Sequence, residues 1–107
     1  MTNEIITQVK KKAAKSLCRF KIGAVAIDHE GNVIGRTFNK PSDCRTVGNK
    51  YHAERILIER YKGNIKTIVI CRTNNRGDFM PIDACHACAS LADKYGITIV
   101  SLLPGKE

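Results

Sequence analysis

The chain has 107 residues, of which 43% are apolar, and this size suits a single domain over residues 1–107 with no second core. No apolar run reaches the roughly 18–20 residues of a membrane span, and the first residues lack a signal peptide's apolar stretch, so we expect a cytoplasmic protein with no membrane partner. The net charge of +8 is compatible with a solvated basic surface, a phosphate-bearing substrate or single-stranded nucleic acid, and it does not decide among them.

The spacing of apolar residues predicts seven elements in the order α-β-β-α-β-α-β. An amphipathic helix is expected over residues 4–17. Its apolar positions recur every four residues, at Ile5, Val9, Ala13 and Leu17. The period then changes to that of strands, and a hairpin is predicted from FKIGAVAID and VIGRTFN, joined by a tight Gly-Asn turn.

The second half of the chain alternates between helix and strand patterns. Asn49 can cap a helix, KYHAERILIERYK, that Gly63 ends, and TIVICR follows as a β-branched strand. NNRGDFMPID is typical of a loop. Asp83 can cap a third helix, CHACASLADKY, which closes at Gly96 and leads into ITIVSLL, expected to be a buried parallel strand. The fold class is therefore α/β, with a mixed central sheet and helices on its faces.

The chain contains an odd number of cysteines, at positions Cys18, Cys44, Cys71, Cys85 and Cys88. In a reducing compartment, such a set argues against a disulfide framework and favours metal-binding or catalytic thiols together with buried ones. We expect Cys18 and Cys71 to be core residues. Cys44 lies in the polar segment KPSDCRTVGN, where a free loop thiol is expected.

The stretch PIDACHACAS carries two cysteines three residues apart, which indicates a metal site. On one helical turn Cys85 and Cys88 point the same way, whereas His86 lies about 100° around the axis from Cys85. His52 is the best third ligand, because side chains in the first turn of a helix can extend past its end and converge with those of another helix start. Two helix N-termini also favour thiolates. The sequence thus predicts one Zn²⁺ per chain, held by His52, Cys85 and Cys88, with a fourth position left for water.

Glu54 follows His52 by two residues and is suited to moving a proton between water and substrate rather than to ligation. Zinc lowers the pKa of bound water from 15.7 to about 7, which makes a nucleophile available at neutral pH. His-x-Glu followed by Cys-x-x-Cys is the signature of zinc-dependent nucleobase deaminases. We therefore predict that Glu54 is the catalytic residue of a hydrolytic deaminase. A structural or nucleic-acid-binding zinc module without turnover is the alternative.

Over nearly its whole length the chain resembles the cytidine/deoxycytidylate deaminase superfamily. The hairpin with its Gly23-Ala24 pair, YHAER and CHACASLADKYGITIV occur in family order. The resemblance implies that Asn39 contacts the substrate and that the Ala53 backbone N–H helps to hold the pyrimidine carbonyl. It implies a cytidine deaminase-like three-layer α/β/α fold, in a compact form lacking the last helix and strand. The layer missing relative to many members suggests a homo-oligomer in which a neighbouring subunit shields the sheet edge or completes the pocket.

Departures from the family pattern leave the substrate open. Ala84 stands where the family has proline, and the cysteine helix is closer to the deoxycytidylate type. We expect conversion of cytosine to uracil in a pyrimidine nucleotide such as dCMP or in a nucleoside; single-stranded DNA or RNA is an alternative substrate. Cys44 and His29 could form a second metal site, as in some members. Basic residues near the predicted site could bind a phosphate, namely Arg19, Lys21, Arg45, Arg72 and Arg76.

Overall fold

The computed structural model describes residues 2–18, 20–39, 52–82 and 86–103. Three helices and five strands occur in these ranges. They are α1 Asn3–Ala14, β1 Lys21–Asp28, β2 Val33–Phe38, α2 Ala53–Tyr61, β3 Ile65–Thr73, β4 Phe79–Met80, α3 His86–Lys94 and β5 Thr98–Ser101, with a 3-10 turn, Lys62–Asn64, after α2. Among the described helices, none combines the length and the apolar character required to cross a bilayer.

The strands form one mixed sheet in the order β2-β1-β3-β4, with β5 also paired to β3. β1 is antiparallel to both β2 and β3. β4 pairs antiparallel with the end of β3, whereas β5 pairs parallel with Thr67–Ile70 of the same strand. This arrangement confirms the predicted mixed sheet and its parallel strand pair.

Alternating side chains of the sheet pack against helices on opposite faces. On one face, Val25 of β1 and Val69 of β3 contact Val9 and Ala13 of α1. On the other face, alanines of β1 and isoleucines of β3 pack against α2 and α3. The predicted three-layer α/β/α architecture is therefore confirmed, and we call these two sides the α1 layer and the α2/α3 layer.

Several strand ends and the starts of two helices lie at one edge of the sheet, together with candidate site residues. Because β1 is antiparallel to its neighbours, it begins at the edge where β2, β3 and β5 end. α2 leads through the 3-10 turn into β3, and α3 leads into β5, so both helices start near this edge. His52 immediately precedes α2, and Asn39 immediately follows β2. The topology therefore brings these residues to the same edge, which we call the site edge.

The first half of the chain departs from its prediction in two places. α1 ends at Ala14, so Leu17 does not continue its apolar face and is 81% exposed. The Ser16 hydroxyl instead donates to Asn39 and accepts from the Cys18 N–H, which turns the chain toward β1. The hairpin turn is longer than a two-residue turn, because the Asp28 carboxylate accepts from the backbone N–H groups of Glu30 and Asn32.

The second half differs at the ends of its elements. The N-cap of α2 is His52 rather than Asn49, and the helix ends at Tyr61 with Lys62, not Gly63, at positive φ. Gly96, at φ +69°, follows α3 as predicted. β4 was not expected, because two residues are too short to give a strand pattern. β5 is half-buried rather than buried, since β3 alone pairs with it among the described strands.

Candidate active site

Three potential metal-binding side chains meet where α2 and α3 begin. The ligand atoms of His52, Glu54 and Cys88 all lie within 4.8 Å of one another. The Cys88 Sγ atom is 3.7 Å from His52 Nδ1. A sulfur and a nitrogen that share one tetrahedral zinc ion lie roughly 3.5 Å apart, given Zn–S and Zn–N distances of about 2.3 and 2.0–2.1 Å. The pair therefore has the spacing that zinc requires.

Burial adds to this fit. Cys88 is inaccessible to solvent and Glu54 is 4% exposed, so a thiolate and a carboxylate here are both removed from water. Two buried anionic groups side by side are costly unless a cation or hydrogen bonds compensate them. A divalent metal held by His52 and Cys88 beside Glu54 would supply that compensation, and imidazole nitrogen and thiolate sulfur are ligands that zinc accepts.

The local backbone explains how residues two apart in sequence converge. His52 is extended, with φ −62° and ψ 142°, and its side chain makes no capping hydrogen bond to α2. Its ring is therefore available to Cys88, which lies in the first turn of α3. Glu54 belongs to the first turn of α2. The expected convergence at the two helix starts is thus found for His52, Glu54 and Cys88.

Several predicted residues lie outside the described part of the chain. Cys85 is one of them, so its ligation stays a prediction. Cys44, Arg19 and Arg45 are others, and the side chain of His86 is likewise outside it. His29 is exposed in the hairpin turn, as expected.

Asn39 is buried at the end of β2 and connects three segments of the site edge. Its Oδ1 atom accepts from Ser16 Oγ at 2.6 Å and from the Ile22 N–H at 3.1 Å. Its Nδ2 atom donates to the Phe20 carbonyl at 2.8 Å. At most one Nδ2 hydrogen is left for a substrate. Ser16 was missed by the sequence analysis, because no motif marks a serine whose partner lies 23 residues away.

Ala53 is the first residue of α2 and is buried. The N–H groups at the start of a helix have no partner within it, so they are available to an acceptor. This position suits the expected contact between the Ala53 N–H and a pyrimidine carbonyl, a contact that stays a prediction.

The two cysteines expected in the core are both buried. Burial raises the pKa of the Cys71 thiol from 9.0 to about 12, although the Gly23 N–H and the charge of Lys10 act in the opposite direction. Cys18 is disulfide-bonded. That bond corrects the expectation of unpaired thiols, which rested on the odd number of cysteines and on an assumed reducing compartment.

The candidate phosphate-binding residues differ in their surroundings. Lys21 donates through Nζ to the Ser16 carbonyl at 2.5 Å. Arg76 is 86% exposed and lies 3.9 Å from an Asp78 oxygen. The Arg72 guanidinium lies over the Phe20 ring, 4.0 Å from its centroid, at the site edge. Arg72 is thus the described candidate that is positioned by an aromatic ring.

Comparison with known proteins agrees with the fold and with the family resemblance. A family profile described as the cytidine and deoxycytidylate deaminase zinc-binding region matches residues 2–103. The structure is similar to cytidine deaminase from Mycobacterium tuberculosis, with 19% identity and a TM-score of 0.58, over 95% of this chain and 84% of that one. A glutamate-to-glutamine mutant of that enzyme gives 18% identity and a TM-score of 0.60, over 97% and 86% of the two chains.

No curated protein matches the sequence. The solved structures share under a fifth of their residues with this chain, so their similarity supports the fold alone. The profile covers nearly the whole sequence and includes His52, Glu54 and Cys88, the residues that the fold brings together. The chain belongs to the zinc-binding cytidine and deoxycytidylate deaminase family.

Proposed function

We propose that this zinc-dependent deaminase converts a cytosine base to uracil in a (deoxy)cytidine nucleotide such as dCMP or in a nucleoside. The observation that carries the proposal is the grouping of His52, Glu54 and Cys88, with their ligand atoms within 4.8 Å of one another, at two helix starts. Family membership supports hydrolytic deamination. The choice of a small cytosine substrate is our proposal.

In this proposal, His52 and Cys88 hold the zinc together with Cys85. When bound, zinc supplies Lewis-acid chemistry that makes water nucleophilic at neutral pH. The positive ends of the α2 and α3 dipoles stabilise the thiolate form of the cysteines. The protein therefore contributes a fixed donor set and a field that favours negative charge.

Glu54 moves the protons in this mechanism. Water provides the oxygen that replaces the amino group on C4 of the base, and ammonia leaves when the C4–nitrogen bond breaks. Glu54 transfers the two protons of that water in turn, one to N3 of the base and one to the amino group, which leaves as ammonia. Glu54 is 4% exposed, so bulk solvent is largely excluded from this exchange.

Asn39 and Ala53 orient the substrate. The Asn39 carboxamide is held by Ser16, Ile22 and Phe20, so its remaining Nδ2 hydrogen has a defined direction. The Ala53 N–H belongs to the backbone at the start of α2, so no side-chain rotation loosens its hold on a base carbonyl. Such fixed donors lower the entropy cost of placing the base.

The location of the lysines argues against a polynucleotide substrate. Lys10, Lys11 and Lys12 are consecutive on α1, and α1 packs on the face of the sheet opposite α2 and α3. A strand bound along α1 would therefore lie across the sheet from His52 and Glu54. This separation favours a small substrate over single-stranded DNA or RNA.

Ammonia release from zinc-loaded protein tests the proposal. Cytidine, deoxycytidine, dCMP and a cytosine-containing single-stranded oligonucleotide are compared at equal cytosine concentration, with the His52→Ala variant as the inactive control. We expect release from at least one of the three small substrates and little from the oligonucleotide. Ammonia release from the oligonucleotide alone would contradict the proposed small substrate. Zinc-bound protein that releases no ammonia from any of the four compounds would indicate the non-catalytic zinc module.

A further inference from the structure

We propose that Arg72 binds the 5′-phosphate of the substrate and makes the enzyme prefer a nucleoside monophosphate over a nucleoside. This inference rests on the proposed deamination of a small cytosine substrate. It depends on three observations: the side of the sheet that Arg72 occupies, the ring that positions its guanidinium, and the engagement of the neighbouring cations elsewhere.

Arg72 occupies the side of the sheet that carries the catalytic residues. Ile68 and Ile70 precede it at alternate positions of β3, and both pack in the α2/α3 layer. Side chains two apart on a strand share a face, so Arg72 extends this row toward the site edge. Its partner across β1 is Ile22, which packs in the same layer. Arg72 is therefore placed on the face where α2 and α3 begin.

The Phe20 ring fixes the plane of the guanidinium. The Arg72 guanidinium carbon is 4.0 Å from the ring centroid, within the range of a cation–π contact. Phe20 is in turn held through its carbonyl by Asn39 Nδ2. Asn39 is also the residue expected to contact the substrate. Phe20 thus connects the two residues: its carbonyl accepts a hydrogen bond from Asn39, and its ring stacks on Arg72.

Stacking leaves the donors of Arg72 available. A guanidinium that lies over a ring uses its π-face, whereas its N–H groups point outward in the plane. In the described part of the chain, no carboxylate lies within ion-pair distance of Arg72. A planar fork of donors is suited to two parallel hydrogen bonds with a phosphate.

The neighbouring cations are engaged differently. Lys21 donates to the Ser16 carbonyl, and Arg76 lies beside Asp78 on an exposed loop. Arg72 and Lys21 are both half-buried, whereas Arg76 is exposed, so the charge of Arg72 is less screened than that of Arg76. One half-buried arginine suits a single terminal phosphate rather than a repeating backbone. The chemistry points to a nucleoside 5′-monophosphate.

Steady-state kinetics with dCMP and deoxycytidine provide the test. In zinc-loaded Arg72→Ala protein, we expect kcat/KM for dCMP to fall roughly 10- to 100-fold, mainly through KM, because hydrogen bonds to a charged group are lost. The value for deoxycytidine should change less than about threefold, as for an ordinary surface substitution. Arg76→Ala is the matched control, and both substrates should keep their wild-type values in it. Equal losses for the two substrates, or none, would overturn the inference.

A binding measurement keeps this result separate from the proposed function. Titration calorimetry of dUMP against zinc-loaded wild type, Arg72→Ala and Arg72→Lys needs no turnover. We expect dUMP to bind wild type most tightly, Arg72→Lys more weakly and Arg72→Ala weakest, while deoxyuridine distinguishes none of them. If no cytosine substrate is deaminated but this order holds, the proposed function fails and the phosphate site stands.

The Arg72→Lys variant keeps the test valid if Arg72→Ala does not fold, because it retains the charge and loses only the planar fork. Equal dUMP affinity in wild type and Arg72→Lys, together with equal kcat/KM for dCMP, would then overturn the inference. An Arg72 dependence confined to a single-stranded oligonucleotide would also overturn it, since that result assigns the arginine to a phosphodiester.

Discussion

Cys71 and Cys88 are equally inaccessible to solvent, yet they lie in regions of opposite character. Cys71 lies on β3 and faces the α1 layer, where Val9 and Ala13 surround it with apolar groups. Cys88 is in the first turn of α3, 3.7 Å from the His52 ring. One region keeps a thiol protonated, and the other places a thiol beside metal-binding groups.

The comparison shows that burial alone does not determine what a cysteine does. Desolvation raises the pKa of Cys71 to about 12, so this thiol is neither a nucleophile nor a ligand at neutral pH. Cys88 is equally buried, but a helix start and two further ligand atoms surround it. The chemistry of the site is therefore a property of where α2 and α3 begin, and the α1 layer contributes packing.

The first prediction concerns zinc content, where the largest contrast is expected. His52→Ala and Cys88→Ala should each remove the metal and all activity, because two remaining protein ligands do not hold zinc in a catalytic site. Cys71→Ala should keep one zinc per chain. Metal analysis of dialysed protein measures this contrast, and zinc bound by Cys88→Ala but lost from Cys71→Ala would reverse the assignment.

Cys85 and His86 extend the same measurement to the start of α3. Cys85→Ala should lose zinc, whereas His86→Ala should retain it, because the His86 side chain leaves the helix about 100° away from that of Cys85. Zinc loss in His86→Ala alone would make the histidine, and not the cysteines, the ligand in this stretch.

The second prediction separates catalysis from metal binding within the α2/α3 layer. Glu54→Gln keeps the shape of the side chain and removes its proton-accepting carboxylate. We expect zinc and fold to be unchanged and turnover to fall by at least about 10³-fold, in the upper part of the range for general acid–base catalysis. Deamination rate and zinc content are measured on one preparation. Wild-type activity would exclude the proton-transfer role, and lost zinc would identify Glu54 as a ligand.

Much of the fold could be predicted because its signals are local. Apolar periods located three helices and the strands of a mixed sheet. The geometry of first helical turns predicted that His52 and Glu54 meet the two cysteines of α3, and His52, Glu54 and Cys88 do lie together. Features that depend on distant partners could not be found this way. Ser16 ends α1 early through its bond to Asn39, and β4 exists because the end of β3 offers it a partner.

The stacking of Arg72 on Phe20 and the disulfide of Cys18 belong to the same class. Arg72, Phe20 and Cys18 were all visible in the sequence, but no spacing pattern indicated these contacts. Contacts between segments that are far apart along the chain are decided by the packing of the whole domain. Sequence patterns therefore predicted the residue types of the site better than the residues that position them.

The third prediction compares how tightly the helices of the two layers pack on the sheet. A Cβ at Gly23 would overlap the Val9 carbonyl oxygen and lie 2.5 Å from the Ala13 nitrogen, both backbone atoms of α1. A Cβ at Gly35 would instead meet the Tyr61 ring and the Leu57 Cδ2 atom, which are side chains that can move. We expect Gly23→Ala to lower the free energy of unfolding by about 3 kcal/mol and Gly35→Ala by about 1 kcal/mol.

Urea denaturation measures both values. Gly63→Ala is the control, because a Cβ there has no atom within 4 Å, and it should change stability by less than about 0.5 kcal/mol. A larger cost at Gly35 than at Gly23 would mean that α1 shifts more easily than the side chains of α2, and would reverse the comparison of the two layers.

The fourth and smallest effect is the pH dependence that Cys71 contributes. Its pKa is raised from 9.0 to about 12 by burial, so the thiol keeps its proton in the folded state after the unfolded chain has lost it. The stabilisation is fully present below about pH 9 and is lost as the pH rises toward 12. Across that window, the unfolding free energy of the wild type should fall faster than that of Cys71→Ala, by at most about 1.4 kcal/mol per pH unit. Denaturation curves at pH 8, 9 and 10 under reducing conditions measure the two slopes, with lysine and tyrosine titration common to both proteins. Parallel slopes would show that the Cys71 thiol ionises as readily in the fold as outside it, and the contrast between an inert cysteine in the α1 layer and a metal-binding one in the α2/α3 layer would then lose its physical basis.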